Sequence, residues 1–460
     1  MEETLKSMLH ESNLFKRGIR LKNLCLEQLE DYIINSNSAI LLGNGFSINF
    51  DDCFSGIYNR LYDSHKKIIS KKGQYNIKGV NSRFKGKCKD NFTGVYRYLK
   101  FYSEIDLENL FKDGLALANE IINNDRVLQS LYSKEMIHTL AFNISEIDVL
   151  KNICEVGNRR GYKYVNIENW SILIYFYFAI KELDKGTFSF PQSNTFVESI
   201  IAGHKSRILL SPKSHVLENT IMNGFSTYIR MLFSIAIYAN GKSCDFSQLE
   251  KKDNLNLCGI KKFLNLFTSL LSFNYDLIAD TLLENDSIIH PHGKFIKNKI
   301  EFVYNQSLGL IDGKEYVSFS DIIIGDYFIY KTQYNLIAHY SIKNNYYNKI
   351  KSYYSDDIEE TFKRNCIDNV LIFGMNIEND YHILRSIMYS LFSRNVKRPK
   401  IIYCYFNSED RASFEEIYTK IVTFNDDFTN YVKQIELHCI NTQSILEKYF
   451  VKSAGEINKR

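Results

Sequence analysis

Residues 39–47 read Ala39-Ile40-Leu41-Leu42-Gly43-Asn44-Gly45-Phe46-Ser47. Four apolar residues in succession, closed by glycine, predict a short parallel strand buried on both faces. The glycines let the backbone turn sharply from strand to helix and come close to a pyrophosphate, with N–H groups of the turn aimed at it. Ser47 adds a hydroxyl donor. The pattern falls short of the full dinucleotide fingerprint: the third glycine is missing, and no acid closes a second strand about 20 residues on. No Gly-Lys-Ser or Gly-Lys-Thr follows, so it is not a Walker A loop. A tight turn without a ligand is the alternative.

Working outward, further runs have strand length: Phe267 to Phe273, Ser287 to Ile289, Asp321 to Ile324, Asn369 to Phe373, Lys400 to Phe406 and Gln434 to Ile440. Asp276 to Leu283 predicts a helix, and Leu384, Ile387, Met388 and Leu391 mark one helix face. Strands alternating with helices predict an α/β fold with a Rossmann-like parallel sheet. Residues 111–262 show helical periods, including Trp170 to Glu182 and Met222 to Ala239, and no obvious strand. They predict a large, mainly helical insertion. Asp106 reads as the N-cap of a helix carrying Leu107, Leu110, Phe111, Ala118, Ile121 and Ile122. Residues 65–90, rich in lysine, read as a long loop. The expected organisation is an N-terminal helical segment over 1–35, a nucleotide-binding domain split into 36–110 and 263–450, the insertion at 111–262, and a frayed tail over 451–460.

Bulk composition is that of a globular protein of one large or two moderate domains, with 45% hydrophobic and 24% charged residues. The net charge of +4 gives no argument for nucleic acid, which stays open as a partner. Nine cysteines, an odd number with no CxxC pair, argue against a zinc ribbon or a disulfide framework and for reduced thiols in a cytoplasm. Acids stand at once after Met1, so no signal peptide is visible. The longest apolar runs are too short to span a bilayer.

Two more motifs bear chemistry. In Phe273-Asn274-Tyr275-Asp276, an amide and a carboxylate at a strand end can face a ligand crevice. Asn274 can hold a ribose hydroxyl or a water, and Asp276 can accept from a carboxamide. A turn with a helix cap is the alternative. In His290-Pro291-His292-Gly293, His292 can act as general base on a hydroxyl or a water. His290 and His292 would share a face in an extended segment, but no acid or cysteine cluster completes a metal site. A fourth segment, Val370 to Asn376, again ends a strand in glycine, at Gly374. There Asn376 can reach an adenosine ribose, while Glu378 and Asp380 read as first-turn acids.

Together these motifs resemble the sirtuin-like family, in particular its bacterial branch of anti-phage defence. That branch typically shows a Gly-x-Gly-x-Ser turn, an Asn-Tyr-Asp motif, a His-Gly motif and a late glycine before a helix. Asp106-Leu107-Glu108 and Asn379-Asp380-Tyr381-His382-Ile383-Leu384 are also similar to it. The resemblance covers about residues 36–110 and 265–410. It implies that NAD lies across the crevice as substrate. Gly43, Asn44, Gly45, Phe46 and Ser47 would bind its pyrophosphate, and Gly374 and Asn376 its adenosine side. Asn274 and Asp276 would hold the nicotinamide ribose and the water, with His292 as the base. The four-cysteine zinc module and the Gly-Ile-Pro-Asp-Phe-Arg segment of sirtuin deacetylases are missing, so the resemblance implies an NAD hydrolase that needs no metal. Such an enzyme depletes cellular NAD, which implies control by self-assembly into a homo-oligomer, by a partner sensor protein or by a nucleotide signal. A catalytically silent nucleotide-binding scaffold and an ADP-ribosyl transferase are the alternatives.

Overall fold

The computed structural model describes residues 21–70, 75–79, 82–137, 145–205, 215–250, 254–284, 287–300, 306–319, 356–378, 380–421 and 426–452. The chain divides into two compact units, Met1–Ser55 with Lys242–Gly293 and Lys351–Arg460, and Gly56–Gly241 with Lys294–Ile350. Among the described residues ten strands form two sheets: β1 (Lys22–Asn23), β2 (Ser38–Leu42), β3 (Tyr75–Gly79), β4 (Ser269–Ser272), β5 (Ile296–Lys297), β6 (Gln306–Asp312), β7 (Glu315–Ser318), β8 (Asn369–Phe373), β9 (Lys400–Tyr405) and β10 (Glu436–Asn441).

The first unit is built on a six-stranded sheet of order β1-β10-β9-β8-β2-β4, parallel throughout. Ile289 adds a parallel bridge to Leu271 beyond β4. The fold is therefore α/β, with a Rossmann-like parallel sheet. Strands β2 and β8 are buried along their whole length, which explains their unbroken apolar sequences. The two-residue period of the strand divides their side chains between two cores. Ala39, Leu41, Leu271, Val370 and Ile372 pack on one face, while Ile40, Leu42, Leu371 and Phe373 pack on the other. The chain runs outward from β2 to β4, then crosses back to β8, so the strand order reverses between β2 and β8. Ligands of open α/β sheets bind beyond the carboxyl ends of the strands at such a reversal.

The second unit is mainly helical. Helix Gly224–Tyr238 runs through its core with Phe225, Tyr228, Ile229, Leu232 and Phe233 all buried. Among the described residues the stretch expected as a helical insertion contains no strand. A small antiparallel sheet of order β3-β6-β7-β5 completes the unit.

The units divide at other places than the segments expected from sequence. Residues 56–110 belong to the helical unit, where Arg60 donates to the Ala236 carbonyl (2.8 Å) and Asn91 to that of Met222 (2.7 Å). Residues 294–350 also belong there, because β6 pairs with β3. Residues 242–262 lie with the parallel sheet, where Leu249, Leu255 and Ile260 enter its core.

Among its described residues, segment 65–90 is not a long loop. It holds the end of helix Leu61–Ile69, strand β3 and the start of helix Ser82–Leu99. Cys88, Phe92, Val95 and Leu99 recur at helical spacing and are buried, a period masked in the sequence by the lysines of the exposed face. The N-cap of helix Glu104–Ile122 is Ser103, not Asp106. Ser103 Oγ accepts from the Asp106 N–H (3.3 Å), and the Asp106 carboxylate accepts from the Ser103 N–H (2.8 Å), a reciprocal capping box. Of the expected N-terminal helical segment, Leu26–Ile34 is helix. The strand expected over Asp321 to Ile324 lies outside the described residues, as do residues 1–20 and the tail from 453.

Candidate functional site

Three strands deliver the motifs to one edge. At the carboxyl end of β2 the chain makes a single helical turn, Asn44–Ser47. Beside it β8 ends at Phe373, just before Gly374, and on the other side β4 ends at Ser272, two residues before Asn274. The outer bridge at Ile289 leads into His290 and His292. All four motifs thus emerge on the carboxyl side of the parallel sheet, with the glycine turns of β2 and β8 at the point of strand reversal.

The two glycine turns touch. Gly43 N–H donates to the Phe373 carbonyl (2.9 Å), continuing the ladder, and Gly45 N–H donates to the Gly374 carbonyl (2.8 Å). A Cβ on Gly45 would stand 2.7 Å from Gly374 Cα. Gly374 has φ +68°, and its own Cβ would stand 2.8 Å from the Gly45 backbone. These glycines therefore have a steric reason in each other, independent of any ligand. Phe46 is core, packed on Phe50 and Phe373, and contributes no side chain to the edge. The Asn44 side chain donates to the Phe54 carbonyl (3.0 Å). Asn376 is exposed on the turn after Gly374, its Oδ1 accepting from the Glu378 N–H (3.1 Å).

The chemistry concentrates on the other side of β2. Asn274 Nδ2 donates to the Gly43 carbonyl and to Ser47 Oγ, both at 2.9 Å. Ser47 Oγ in turn donates to Asp276 Oδ2 (2.7 Å), and Asp276 Oδ1 accepts from the Ile278 N–H (3.1 Å). Ser47, Asn274 and Asp276, far apart in sequence, thus form one buried hydrogen-bonded group. Burial pushes the Asp276 carboxyl above its usual range, against the opposing pull of Ser47, the Ile278 N–H and the charge of His290. With both amide hydrogens of Asn274 engaged, its Oδ1 is the atom free to accept from a ligand hydroxyl or a water.

His292 is 7% exposed, and its ring meets Phe273 edge-on at 5.1 Å. The turn holding it is closed by Gly293 N–H on the His290 carbonyl (2.9 Å). His290 is oriented elsewhere: Nδ1 lies 3.0 Å from the Asn274 carbonyl oxygen and Nε2 lies 2.9 Å from Asp280 Oδ2. Both ring nitrogens are engaged, so the two histidines do not form a metal pair. Among the described residues no group of three or more His, Cys, Asp or Glu side chains is placed to hold a metal. Nothing in the sequence pattern singled out Asp280; only the fold brings it to His290.

Asp106-Leu107-Glu108 lies in the second unit. Asp106 holds the N–H of the N-cap Ser103, Leu107 is core, and Glu108 pairs with Lys163 (2.8 Å) at a cleft of about 130 Å³ lined by Tyr58, Tyr62 and Tyr162. No helix among the described residues is long and apolar enough to cross a membrane.

By fold, then, the chain is a parallel α/β protein with a polar group at the carboxyl edge of its sheet. No protein-family model, curated protein or solved structure matches it.

Proposed function

We propose that the chain is an NAD glycohydrolase, cleaving NAD to nicotinamide and ADP-ribose, and that it serves as a regulated effector of anti-phage defence. The observation that carries this reading is the joining of Ser47, Asn274 and Asp276 in one hydrogen-bonded group beside the strand reversal, with His292 on the neighbouring segment. The reaction breaks the bond from C1′ to the nicotinamide nitrogen. The bonding pair leaves with nicotinamide, which thereby becomes neutral, and the ribose passes through an oxocarbenium-like transition state. Water adds at C1′ and loses a proton to a base. Asn274 Oδ1 supplies an acceptor for the water or a ribose hydroxyl, and His292 is the base. NAD is the substrate, and no metal enters the scheme. Since the activity would exhaust the cell's own NAD, it calls for restraint by self-assembly or by a partner sensor protein.

A scaffold that binds nucleotide without turnover is the second reading. It is favoured by the mutual packing of Gly45 and Gly374, which explains both glycines without a ligand, and by the engagement of both Asp276 oxygens within the fold. The sequence feature that would support the transferase alternative is the lysine-rich segment 65–90, and its described residues are mainly helix and strand rather than a loop.

Nicotinamide released from NAD by the purified chain separates the readings. Hydrolysis predicts release that falls about a hundred-fold or more in Asn274→Ala and His292→Ala. Release that survives both substitutions would refute the site, and NAD binding without release would favour the scaffold.

A further inference from the structure

His290 stands next to this site but has no part in the scheme above. Its side chain is 3% exposed and that of its partner Asp280 11%. Nδ1 faces a main-chain carbonyl oxygen, which can only accept. Nε2 faces a carboxylate oxygen, which when ionised can only accept as well. A neutral imidazole carries one N–H and can satisfy one of these contacts; an imidazolium satisfies both. The carbonyl it reaches is that of Asn274, whose N–H is also held, by Ser272 Oγ at 3.3 Å. Asn274 is therefore gripped at both ends of its main chain, while its side chain is fixed by Gly43 and Ser47.

We propose that His290 is a positioning residue: an imidazolium that donates to Asp280 and to the Asn274 carbonyl and so fixes the Asn274–Asp276 turn against β2. Among the described residues, the charges facing it include Asp280 in contact and Asp276 close enough to feel its field, with His292 two residues on. Asp280 balances the buried positive charge, which without a partner would be costly to hold there. The charge of His290 also opposes the rise of the Asp276 carboxyl. One link thereby joins the helix Ile278–Leu283, which carries Asp280, to the turn that carries Asn274. The consequence for turnover rests on the glycohydrolase reading; the protonation state of His290 does not.

Two measurements on the whole chain test this. Histidine-selective 15N labelling, with the His290 signals assigned by their loss in His290→Asn, reads whether both ring nitrogens carry protons at neutral pH. Two protonated nitrogens support the proposal, and one protonated nitrogen overturns it, whatever the chain does with NAD. The second measurement is the kinetics of nicotinamide release. An Asn side chain places an amide donor near the position of Nδ1, and a Gln side chain near that of Nε2. His290→Gln keeps the contact to Asp280 and loses the Asn274 carbonyl, so kcat should fall about ten- to a hundred-fold with KM within about three-fold. His290→Asn keeps the carbonyl contact and should retain most of kcat. Equal losses in the two variants, or losses that follow thermal stability alone, overturn the positioning role. If the parent chain releases no nicotinamide, the glycohydrolase reading fails, and the 15N result still decides the state of His290.

Discussion

Gly374→Ala is the sharpest structural perturbation available, because two independent costs fall on one atom. Gly374 has φ +68°, a left-handed conformation that costs an alanine about 1–2 kcal/mol. The added Cβ would also stand 2.8 Å from the backbone of Gly45 and from Phe46 N. These are main-chain atoms at the ends of two buried parallel strands, so relief requires the turns to separate and the Gly45 N–H···O=C Gly374 bond to lengthen. Overpacking of this kind costs about 1–3 kcal/mol, which brings the expected loss to about 2–5 kcal/mol. Urea denaturation followed by circular dichroism measures it. Gly86→Ala is the matched control: Gly86 lies inside helix Ser82–Leu99 with nothing near its missing Cβ, and the change should be neutral or stabilising by up to about 1 kcal/mol. A Gly374→Ala chain within about 0.5 kcal/mol of the parent would refute the close approach of the two turns.

Other outcomes follow from buried polar groups. Asp51 is 2% exposed; burial alone would raise its carboxyl, but Lys242 at 2.8 Å and the N–H groups of Cys53 and Glu250 outweigh it and hold the pKa at about 2. A carboxyl depressed in the folded state contributes stability that is present above the ordinary value near 4 and is lost as pH falls towards 2, here about 2 kcal/mol. Acid denaturation of Lys242→Met should accordingly show a shallower loss between about pH 4 and pH 2 than the parent, and an unchanged slope would refute the pairing. Ser47→Ala removes the hydroxyl between Asn274 and Asp276 and should lower stability by about 1–3 kcal/mol in the same urea assay; no loss would mean that the three side chains do not act as one group.

The sheet was legible because its central strands are buried on both faces. Their sequences become short apolar runs closed by glycine, as at Ala39–Leu42 and Val370–Phe373, and the helix bearing Leu384, Ile387, Met388 and Leu391 shows its buried face directly. The segment at 65–90 was misread because the lysines of its exposed faces overwhelm the period of its buried residues. The cap of Glu104–Ile122 was displaced because both Ser103 and Asp106 suit a helix start, and only the reciprocal hydrogen bonds assign their roles. At the candidate site, residue types could be read but partners could not. That Gly45 answers Gly374, that Asn274 binds Ser47, and that His290 meets both Asp280 and the Asn274 carbonyl are long-range facts of strand order. A local pattern carries none of them, which is why Phe46, read as part of a binding turn, proves to be core.

The most direct test of the NAD site is a crystal structure of the chain with a carbocyclic NAD analogue that resists cleavage. The dinucleotide should lie along the carboxyl edge of the parallel sheet, across the Gly43–Gly45 and Gly374 turns, with the nicotinamide-side ribose or its water within hydrogen-bond reach of Asn274 Oδ1. An analogue seated elsewhere, or no binding at millimolar concentration, would contradict the assignment of this edge as an NAD-cleaving site.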